Sequence, residues 1–362
     1  MRPAAPGARR LSAFQGARVF VTGHTGFKGS WLSLWLAELG AEVTGYALPP
    51  AYADSHFELL GLDRHIRHIE GDLRDTGRLL GAVRDAKPDF VFHLAAQALV
   101  RQSYADPLTT FGTNVFGTAA LLDAVRQAES VRALVCITSD KCYLNKEWTW
   151  SYRETDELGG HDPYSASKAA AENAFLAYQH SYFRHRPDLG AATARAGNVI
   201  GGGDWASDRL VPDCIRALNR GEPIVLRHPA ATRPWQLVLE PLGGYLVLAL
   251  ALAERKVEAG GSWNFGPDPL GVRTVEQVAR RIVELWGSGA VRHEPDRDLR
   301  HEATLLQLSI DKARHQLGWQ PVYGVDACIE ETVSWYRARH DGAAVPELSR
   351  AQIRRYMAAA EP

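Results

Sequence analysis

Two side chains near the middle of the sequence, Tyr164 and Lys168, are suited to taking a proton from an alcohol. They are four residues apart, so on a helix they share one face and lie a turn from each other. A neighbouring ammonium favours the phenolate, and we therefore expect Lys168 to lower the pKa of Tyr164. A phenolate near neutral pH can take the proton of a substrate hydroxyl while hydride leaves for a nicotinamide. The pair predicts oxidation of an alcohol.

A second segment, Ser139-Asp140-Lys141, adds a hydroxyl, an acid and an amine. Plain alcohol oxidation requires neither the acid nor the amine, so the segment indicates a reaction of more than one step. Asp162 suits the cap, and Pro163 the first turn, of a helix that carries Tyr164. A chance Tyr-x-x-x-Lys match on an exposed helix face is the alternative, and the strand predicted to end around Ser139 argues against it.

A glycine-rich turn, Gly23-His24-Thr25-Gly26-Phe27-Lys28-Gly29, follows the first apolar run. Glycines there permit a tight turn and a close approach to a pyrophosphate, which then sits at the N-terminus of the next helix. The spacing is GxxGxxG rather than the standard GxGxxG, so the motif alone is a weak signal. The prediction of a dinucleotide site therefore depends on the position of this turn, directly after the first strand of a βαβ unit. The second strand runs into Tyr46-Ala47-Leu48 without the usual acidic partner of the ribose, which leaves NAD against NADP open.

We expect further cofactor contacts where the third and fourth strands end. Asp72 can lie near the adenine, with an ordinary turn aspartate as the alternative. The small residues of Ala95-Ala96-Gln97 leave room for a cofactor or serve only helix packing. The full set predicted for cofactor binding is Gly23, Thr25, Gly26, Phe27, Lys28, Gly29, Asp72, Leu73, Ala95, Ala96, Gln97, Asn114, Thr138, Tyr164 and Lys168.

The elements that must position these residues alternate between strand and helix. Apolar runs separated by helical stretches predict strands at 18–22, 42–46, 66–69, 90–94, 134–138 and 192–195. Nearly continuous apolar strands in βαβ order indicate a parallel sheet covered on both faces. We predict an α/β protein with a Rossmann-type doubly wound parallel sheet and a smaller mixed α/β C-terminal substrate lobe.

The domain limits follow from the same pattern, because the regular alternation loosens beyond residue 198. The expected limits are 15–197 for the dinucleotide-binding domain, with 236–262 returning to it, 198–235 and 263–350 for the substrate lobe, and 1–14 and 351–362 for two tails.

Composition excludes several other classes of protein. Among 362 residues 46% are hydrophobic, and the formal charge of −1 offers no basic field for nucleic acid and no polybasic patch for a membrane. The longest apolar stretch, 245–252, is too short to span a bilayer, and the first eighteen residues lack the apolar segment of a signal peptide. His65 and His68 have no matching ligand set, so we predict no metal. Reduced thiols and a cytoplasmic protein are predicted from four cysteines outside any ligand spacing: Cys136, Cys142, Cys214 and Cys328.

Five longer strings carry a family resemblance: VTGHTGFKG at 21–29, SDKCY at 139–143, NKEW at 145–148, RAGNVIGGGDW at 195–205 and RPWQ at 233–236. With them the sequence resembles the extended short-chain dehydrogenase/reductase family over residues 16–335. More closely, it resembles the nucleotide-sugar 4,6-dehydratases of the CDP-glucose type. The related dTDP-glucose dehydratases carry Thr-Asp-Glu where this sequence has Ser139-Asp140-Lys141, and the lysine favours the CDP-sugar branch.

The resemblance implies a reaction that regenerates its cofactor. Tyr164 would take the proton of the sugar 4-hydroxyl, assisted by Lys168 and Ser139, while C4 gives hydride to NAD. The new 4-ketone acidifies C5, and Asp140 would protonate the leaving 6-hydroxyl as a base removes the C5 proton. Hydride then returns from NADH to C6, giving CDP-4-keto-6-deoxyglucose. The resemblance places this step in deoxysugar and lipopolysaccharide biosynthesis.

The base that takes the C5 proton is left open. Lys141 stands where the Thr-Asp-Glu enzymes have their glutamate. An amine is a base only when neutral, which requires burial or the nearby Lys168 to lower its pKa. Alternatively, Lys141 orients water or stabilises the enolate as a cation.

The resemblance also implies contacts with the nucleotide sugar, where an arginine fork suits a diphosphate. Surface ion pairs are the alternative for these arginines. Trp148 and Trp150 either cover the sugar or cap the core. The implied substrate residues are Asn198, Arg209, Arg233 and His301.

Members of this family commonly pair through helices that include the one carrying the catalytic tyrosine, and some form tetramers. A homodimer or homotetramer is therefore expected. An epimerase or reductase of nucleotide sugars would keep Tyr164 and Lys168 but need no acid and amine at Asp140-Lys141. A non-catalytic dinucleotide-sensing protein on the same fold typically lacks the tyrosine.

Overall fold

A parallel β-sheet forms the centre of the structure, a computed structural model that describes residues 8–255, 261–268, 271–294 and 305–361. With strands numbered in chain order, its members are β1 (Arg18–Thr22), β2 (Glu42–Ala47), β3 (Arg67–Glu70), β4 (Phe90–His93), β5 (Ala133–Ile137), β6 (Gly190–Ala196) and β11 (Ser262–Phe265). Each neighbouring pair is parallel, and the order across the sheet is β3-β2-β1-β4-β5-β6-β11. The order reverses between β1 and β4, which confirms the predicted Rossmann-type doubly wound sheet.

Helices connect the strands and continue beyond the sheet. In the described residues they are α1 (Ala8–Leu11), α2 (Phe27–Glu38), α3 (His56–Leu60), α4 (Thr76–Ala86), α5 (Val100–Ala105), α6 (Pro107–Phe111), α7 (Gly117–Arg126), α8 (Pro163–Ser181), α9 (Leu210–Asn219), α10 (Leu239–Ala253), α11 (Val275–Trp286), α12 (Val325–His340) and α13 (Val345–Ala359). Short 3₁₀ turns occupy Ser12–Phe14, Leu62–Arg64, Asp140–Cys142 and Phe183–His185, and π-helical turns occupy Gly112–Phe116 and Ala313–Leu317.

Side chains of β1 alternate between two apolar cores. Val19 and Val21 belong to the core that includes α2 and α10, whereas Phe20 belongs to the core that includes α4, α7 and α8. Burial on both faces explains why the strands read as continuous apolar runs. The predicted strand limits accordingly differ from the observed ones by only one or two residues.

After β6 the chain leaves the sheet and then returns to it. Pairs of short strands outside the sheet are β7 (Val199–Ile200) with β10 (Gln236–Leu237), β8 (Ile224–Leu226) with β13 (Val291–His293), and β9 (Thr232–Arg233) with β12 (Arg273–Thr274). The return passes through α10, which is buried along almost its whole length, to β11. Because β11 ends at Phe265, the segment that rejoins the sheet extends past the limit of 262 predicted from the sequence. Among the described residues, no helix combines the length and hydropathy that crossing a membrane requires.

The two predicted tails contain packed elements. In the first, Leu11 and Phe14 are fully buried, and the Phe14 ring lies 4.9 Å from that of Phe90. In the second, α13 continues to Ala359, and Tyr356 is fully buried with its hydroxyl donating to Glu240 at 2.9 Å. The expectation of a tail at 351–362 was therefore wrong for all but its last residues. Arginines surround the few apolar residues of α13, which hides its buried face in the sequence.

Candidate active site

A cavity of about 680 Å³ opens where the strands of the central sheet end. Its wall is built from the loops that follow β1 to β6, the place where open α/β sheets bind ligands. The sequence-predicted residues on this wall are Gly23, Thr25, Gly26, Phe27, Lys28, Gly29, Asp72, Leu73, Ala95, Ala96, Thr138, Ser139, Asp140, Lys141, Tyr164, Lys168, Asn198, Arg209 and Arg233. His301 lies outside the described residues.

The glycine turn after β1 forms a cradle that other residues would fill. Gly23 has φ +76°, and a Cβ there would stand 2.6 Å from the backbone nitrogen of Ala95. A Cβ on Gly29 would stand 2.1 Å from the carbonyl oxygen of Gly23, so α2 approaches the turn closely. Helix α2 begins after Gly26 without a side-chain cap, which leaves its first N–H groups for an anion. This turn therefore fits the pyrophosphate of a dinucleotide.

Beside the cradle, Thr25 donates to the carbonyl of Leu48 at the end of β2. Asp72 forms an ion pair with Arg74, with 2.6 Å between Oδ2 and Nη2. These contacts fix the loops after β2 and β3 along the same side of the cavity.

Gln97 and Asn114 stand behind the wall rather than on it. Asn114 is 1% exposed, accepts from the backbone nitrogen of Gln97 at 2.8 Å and donates to its carbonyl at 3.0 Å. Its amide also donates to Ser167 of α8 at 2.9 Å. Asn114 lies in the π-helical turn Gly112–Phe116, a local distortion often found near functional sites. These two residues brace the loop after β4 against α8.

Local capping explains how Tyr164 reaches the cavity. Asp162 accepts from the backbone nitrogen of Ser165 at 2.9 Å, and Pro163 occupies the first turn of α8. Tyr164 is 7% exposed, and its backbone nitrogen donates to Ser103 at 3.1 Å. The helix start is thus fixed on both sides of the tyrosine.

Three side chains, those of Tyr164, Ser139 and Asp140, lie together at the carboxyl end of β5. The Ser139 hydroxyl lies within hydrogen-bond reach of the Tyr164 phenol and donates to Oδ1 of Asp140 at 2.9 Å. Ser139 also accepts from the backbone nitrogen of Lys141 at 3.2 Å, which shapes the 3₁₀ turn Asp140–Cys142. The predicted catalytic segments are therefore brought together in one cavity.

The expected lowering of the Tyr164 pKa is not observed. Burial raises the pKa of Tyr164 to about 12, and the hydrogen bond from Ser139 and the positive charge of Arg209 only partly oppose it. The Lys168 ammonium nitrogen lies 5.9 Å from the centre of the tyrosine ring. Burial also lowers the pKa of Lys168 to about 8. Desolvation, which the spacing of the two residues does not reveal, outweighs their attraction.

Asp140 and Lys141 occupy different surroundings although they are adjacent. Asp140 is 5% exposed, and burial raises the pKa of its carboxyl against the opposing charge of Lys141. A carboxyl that holds its proton is suited to act as an acid. Lys141 is only partly buried and stands on the cavity wall.

Lys28 reaches from the cofactor cradle toward the same centre. Burial, together with the positive charges of Arg209 and Lys168, lowers the pKa of Lys28 to about 8, while Asp140 opposes this shift. Its ammonium nitrogen stands 5.9 Å from the ring centre of the buried Tyr245. The sequence assigned Lys28 to the cofactor alone, whereas its electrostatic partners include Asp140, predicted for catalysis, and Arg209, predicted for the substrate.

Three of the predicted substrate residues, Asn198, Arg209 and Arg233, also line the cavity. Arg209 forms an ion pair with Asp204, with 2.9 Å between Nη1 and Oδ2. Arg233 is half-buried in β9, and Asn198 follows β6. The two tryptophans, for which covering the sugar or capping the core was left open, have different surroundings. Trp148 packs against the buried Tyr152, with 5.3 Å between ring centres, whereas Trp150 is 74% exposed.

Several polar residues to which the sequence analysis assigned no role also line the cavity. Asn145 and Asp204 stand inside strings that carried the family resemblance, so position in those strings was a usable signal. His161 precedes the start of α8 and Arg101 lies in α5, where no motif marked them. They include Arg101, Tyr143, Asn145, His161 and Asp204. Within the described residues, no three His, Cys, Asp or Glu side chains gather in a way that could hold a metal ion.

Comparison with known proteins places these features in a family. The sequence profile described as GDP-mannose 4,6 dehydratase matches residues 20–332. CDP-glucose 4,6-dehydratase of Salmonella typhimurium is 46% identical over 350 residues, covering 96% of this chain and 98% of that protein. dTDP-glucose 4,6-dehydratase of Xanthomonas campestris is 28% identical over 342 residues, covering 87% of this chain and 92% of the other.

Solved structures agree with this placement. DesIV, a dTDP-glucose 4,6-dehydratase from Streptomyces venezuelae solved with NAD bound, has a TM-score of 0.75 and 25% identity, covering 90% of this chain and 98% of that one. UDP-glucose 4-epimerase of Thermotoga maritima shares the fold with a TM-score of 0.75 at 22% identity, covering 89% of this chain and 99% of that one. Matches over nearly the whole length confirm the resemblance predicted from the motifs, and the chain belongs to the GDP-mannose 4,6 dehydratase family within the extended short-chain dehydrogenases/reductases.

Proposed function

We propose that this protein converts CDP-glucose to CDP-4-keto-6-deoxyglucose with NAD as a regenerated cofactor. The observation that carries the proposal is the placement of Tyr164, Ser139 and Asp140 together, beside the glycine cradle, in one cavity. A base, a hydroxyl and an acid in contact provide for both an oxidation and an elimination. The 46% identity to a CDP-glucose 4,6-dehydratase supports the choice of substrate.

The cofactor is assigned to the cradle after β1 and the loops that follow β2 to β5. Gly23, Gly26 and Gly29 leave the space for its pyrophosphate, and Asp72 and Ala95 stand on the wall that would hold its adenosine half and its centre. NAD, when bound, supplies a hydride acceptor at the sugar C4 and a hydride donor at C6. The relative solved with NAD supports this assignment.

Oxidation uses the residues at the start of α8. Tyr164 accepts the proton of the sugar 4-hydroxyl, and the Ser139 hydroxyl turns its single proton from Asp140 to the phenolate as the phenolate forms, which stabilises it. Lys168 keeps positive charge beside the ring up to a pH of about 8, which favours the same phenolate. Because burial raises the pKa of the phenol, these two neighbours set how readily the proton moves.

Elimination uses Asp140. Burial raises the pKa of the Asp140 carboxyl, which favours its protonated form, and the protonated carboxyl can deliver its proton to the departing 6-hydroxyl so that water leaves. Lys141, partly buried and adjacent, is positioned to take the C5 proton or to stabilise the enolate as a cation. Arg209 and Arg233 provide guanidinium groups for the diphosphate, and Asn198 an amide for the sugar.

The decisive experiment is incubation with CDP-glucose followed by alkali, because a 4-keto-6-deoxy sugar then develops near-ultraviolet absorbance. We expect the absorbance without net formation of NADH, and deuterium placed at C4 should be recovered at C6. Tyr164→Phe is the control and should give neither. A C4-epimerised product, or deuterium lost to solvent, would sink the proposal and favour the epimerase alternative.

We also propose a cytoplasmic homodimer, or a tetramer built from such dimers, paired through the helices around α8. Apolar side chains are exposed on α6 and the π-helical turn beside it, with Leu108 at 83%, Phe111 at 39% and Phe116 at 52%. Light scattering on Leu108→Glu/Phe116→Glu should report monomers, and Trp150→Glu at another exposed site should not change the mass. A parental mass for the double variant would contradict the pairing. The four cysteines are free and buried, which supports a reducing compartment.

A further inference from the structure

A fully buried carboxylate behind the active-site wall, Glu172, has no part in the chemistry proposed above. It follows Lys168 by four residues on α8, so both lie along one face of the helix. Its side chain is 0% exposed and pairs with Arg195 of β6, whose side chain is 2% exposed, at 2.8 Å between Oε2 and Nη2. Two buried charges carry a large desolvation cost, which only excellent geometry and further hydrogen bonds offset.

Both oxygens of Glu172 are used. Arg195 donates through Nε to Oε1 at 2.9 Å and through Nη2 to Oε2 at 2.8 Å, which is a two-pronged contact. Thr138, directly after β5, donates to Oε1, and Thr193 of β6 donates to Oε2 at 2.8 Å. Ser262 of β11 adds a contact at 3.3 Å. The carboxylate therefore ties α8 to three adjacent strands of the sheet.

The remaining guanidinium nitrogen of Arg195, Nη1, contacts residues that follow Asp140 in the chain. Its Nη1 donates to the Tyr143 hydroxyl at 2.7 Å and to the carbonyl of Glu154 at 3.3 Å. The guanidinium carbon lies 4.7 Å from the centre of the Tyr143 ring. Tyr143 in turn donates to Asn264 of β11 at 2.8 Å. The Arg195 guanidinium thus contacts both Glu172 of α8 and Tyr143, the residue that directly follows the loop 139–142.

We infer that Glu172 and Arg195 are positioning residues, which hold the helix of Tyr164 and Lys168 in a fixed relation to the catalytic loop. The loop 139–142 lies between Thr138 and Tyr143, and each of these neighbours is bonded to one member of the pair. Loss of the pair would release both ends of the loop from their partners and let the catalytic groups shift, although no side chain that contacts the substrate is removed. The inference relies on the proposed function for its activity readout.

Glu172 also acts on the charge of Lys168. Burial lowers the pKa of Lys168 to about 8, and Glu172 and Cys142 oppose that shift. In the described part of the chain, the other titratable groups interacting with Lys168 are Tyr164 on α8, His93 on β4 and Lys28 on α2. Neutralising Glu172 removes a group that raises this pKa, so Lys168 should lose its proton at a lower pH.

The test compares Glu172→Gln with Glu240→Gln. Glu240 is an equally buried carboxylate that accepts from the backbone of Val322 and Tyr323 and from Tyr356, so it controls for stability alone. Glu172→Gln should lower kcat about 100-fold at an unchanged KM, the size expected when catalytic groups are misplaced by about 1 Å. Its alkaline kcat limb should also move to lower pH. Glu240→Gln should lower the thermal midpoint and leave both readouts unchanged.

A second readout needs no substrate. Amine-reactive labelling of Lys168, followed by mass spectrometry across a pH series, should show the titration of Lys168 displaced to lower pH in Glu172→Gln. A parent protein that labels normally but is inactive with CDP-glucose would refute the proposed function and not this inference. Parental kcat and parental labelling in folded Glu172→Gln would overturn the inference.

Glu172→Gln leaves Arg195 buried without its carboxylate, which is strongly destabilising. If it does not fold, Glu172→Leu with Arg195→Met removes both charges and keeps the packing. Reduced kcat at unchanged KM in that double variant supports positioning, and parental kcat overturns it. Failure of both variants to fold also overturns it, because the pair would then serve the fold alone.

Discussion

The ammonium of Lys168 lies 5.9 Å from the centre of the Tyr164 ring, one helical turn along α8. Burial moves the pKa values of the two groups apart, raising that of Tyr164 to about 12 and lowering that of Lys168 to about 8. Near neutral pH the phenol keeps its proton and the lysine keeps its charge. Formation of the phenolate therefore depends on that charge and on the hydrogen bond from Ser139.

The first prediction concerns the alkaline side of the activity profile. As pH rises through about 8, Lys168 loses its proton, the phenolate loses a stabilising charge and kcat should fall. Lys168→Met should lower kcat by roughly 10²- to 10⁴-fold, the range for removing help to a proton transfer. Initial rates across the pH range would measure both. A falling limb near pH 8 that persists in Lys168→Met would assign that limb to another group.

Asp140→Asn tests the division between oxidation and elimination. The amide keeps the size of the carboxyl but cannot protonate a leaving hydroxyl, so turnover should fall by roughly 10²- to 10⁴-fold. Oxidation at C4 should survive, and absorbance of reduced nicotinamide should accumulate in a single turnover. Unimpaired formation of the alkali-sensitive product would remove Asp140 from the role of acid.

Lys141→Met separates the two roles left open for that lysine. If Lys141 is the base, exchange of the C5 proton with solvent deuterium should stop in the variant. If Lys141 acts as a cation, exchange should continue at a reduced rate because the enolate is less stable. Mass spectrometry of the recovered sugar in deuterated water distinguishes the cases, and exchange at the parental rate excludes both.

Gly29→Ala tests the cradle after β1. The added Cβ would stand 2.1 Å from the carbonyl oxygen of Gly23, so the turn must open and NAD affinity should fall. Gly81→Ala is the matched control, since nothing lies within 4 Å of a Cβ at that position in α4. The control should gain about 0.5–1 kcal/mol of unfolding free energy, as alanine does in a helix. Equal NAD affinity in both variants would contradict the assigned cradle.

Acid should destabilise the protein through His56. The ring is 1% exposed between Ser30 and Ser349, and burial lowers its pKa to about 3. Because this folded pKa lies below the unfolded value near 6.5, the stabilising contribution is present above pH 6.5 and is lost as pH falls toward 3. The loss should approach about 1.4 kcal/mol per pH unit.

Urea unfolding at several pH values measures this dependence on acid. His56→Gln should be less stable at neutral pH, yet its unfolding free energy should fall less steeply on acidification. His180→Gln, at an exposed position of α8, is the control and should keep the parental slope. Equal slopes in both variants would assign the acid sensitivity to other groups, such as the buried His24 and His93, whose pKa values burial also lowers to about 3.

Local pattern was enough to predict the sheet and the gathering of the candidate site residues at one of its edges. The strands are apolar because both of their faces are covered, so their limits could be read within two residues. The cap at Asp162 and the spacing of Tyr164 and Lys168 are also local, and the structure keeps them together. The glycine cradle follows the end of β1, and the loop 139–142 follows the end of β5. Because the strands are parallel, their carboxyl ends meet at the same edge of the sheet.

Properties that depend on tertiary surroundings were not predictable in the same way. The direction of the Tyr164 pKa shift depends on desolvation by residues distant in sequence. Glu172 and Arg195 look like ordinary surface charges until the sheet and α8 enclose them. The packed face of α13 is hidden because Tyr356 and its few apolar neighbours are spaced among arginines.

The pairing of β11 with β6 has a consequence for synthesis of the chain. Ser262 and Asn264, which complete the bonds to Arg195 and Tyr143, belong to β11 and follow β6 by more than sixty residues. While the ribosome is making that interval, a nascent chain ending before residue 262 has an unprotected strand edge at β6. Such edges invite aggregation, so chaperone protection is most needed during this stretch of translation. Truncation after residue 197 would leave the same edge permanently open, and the first half of the chain should not be obtainable as a stable fragment.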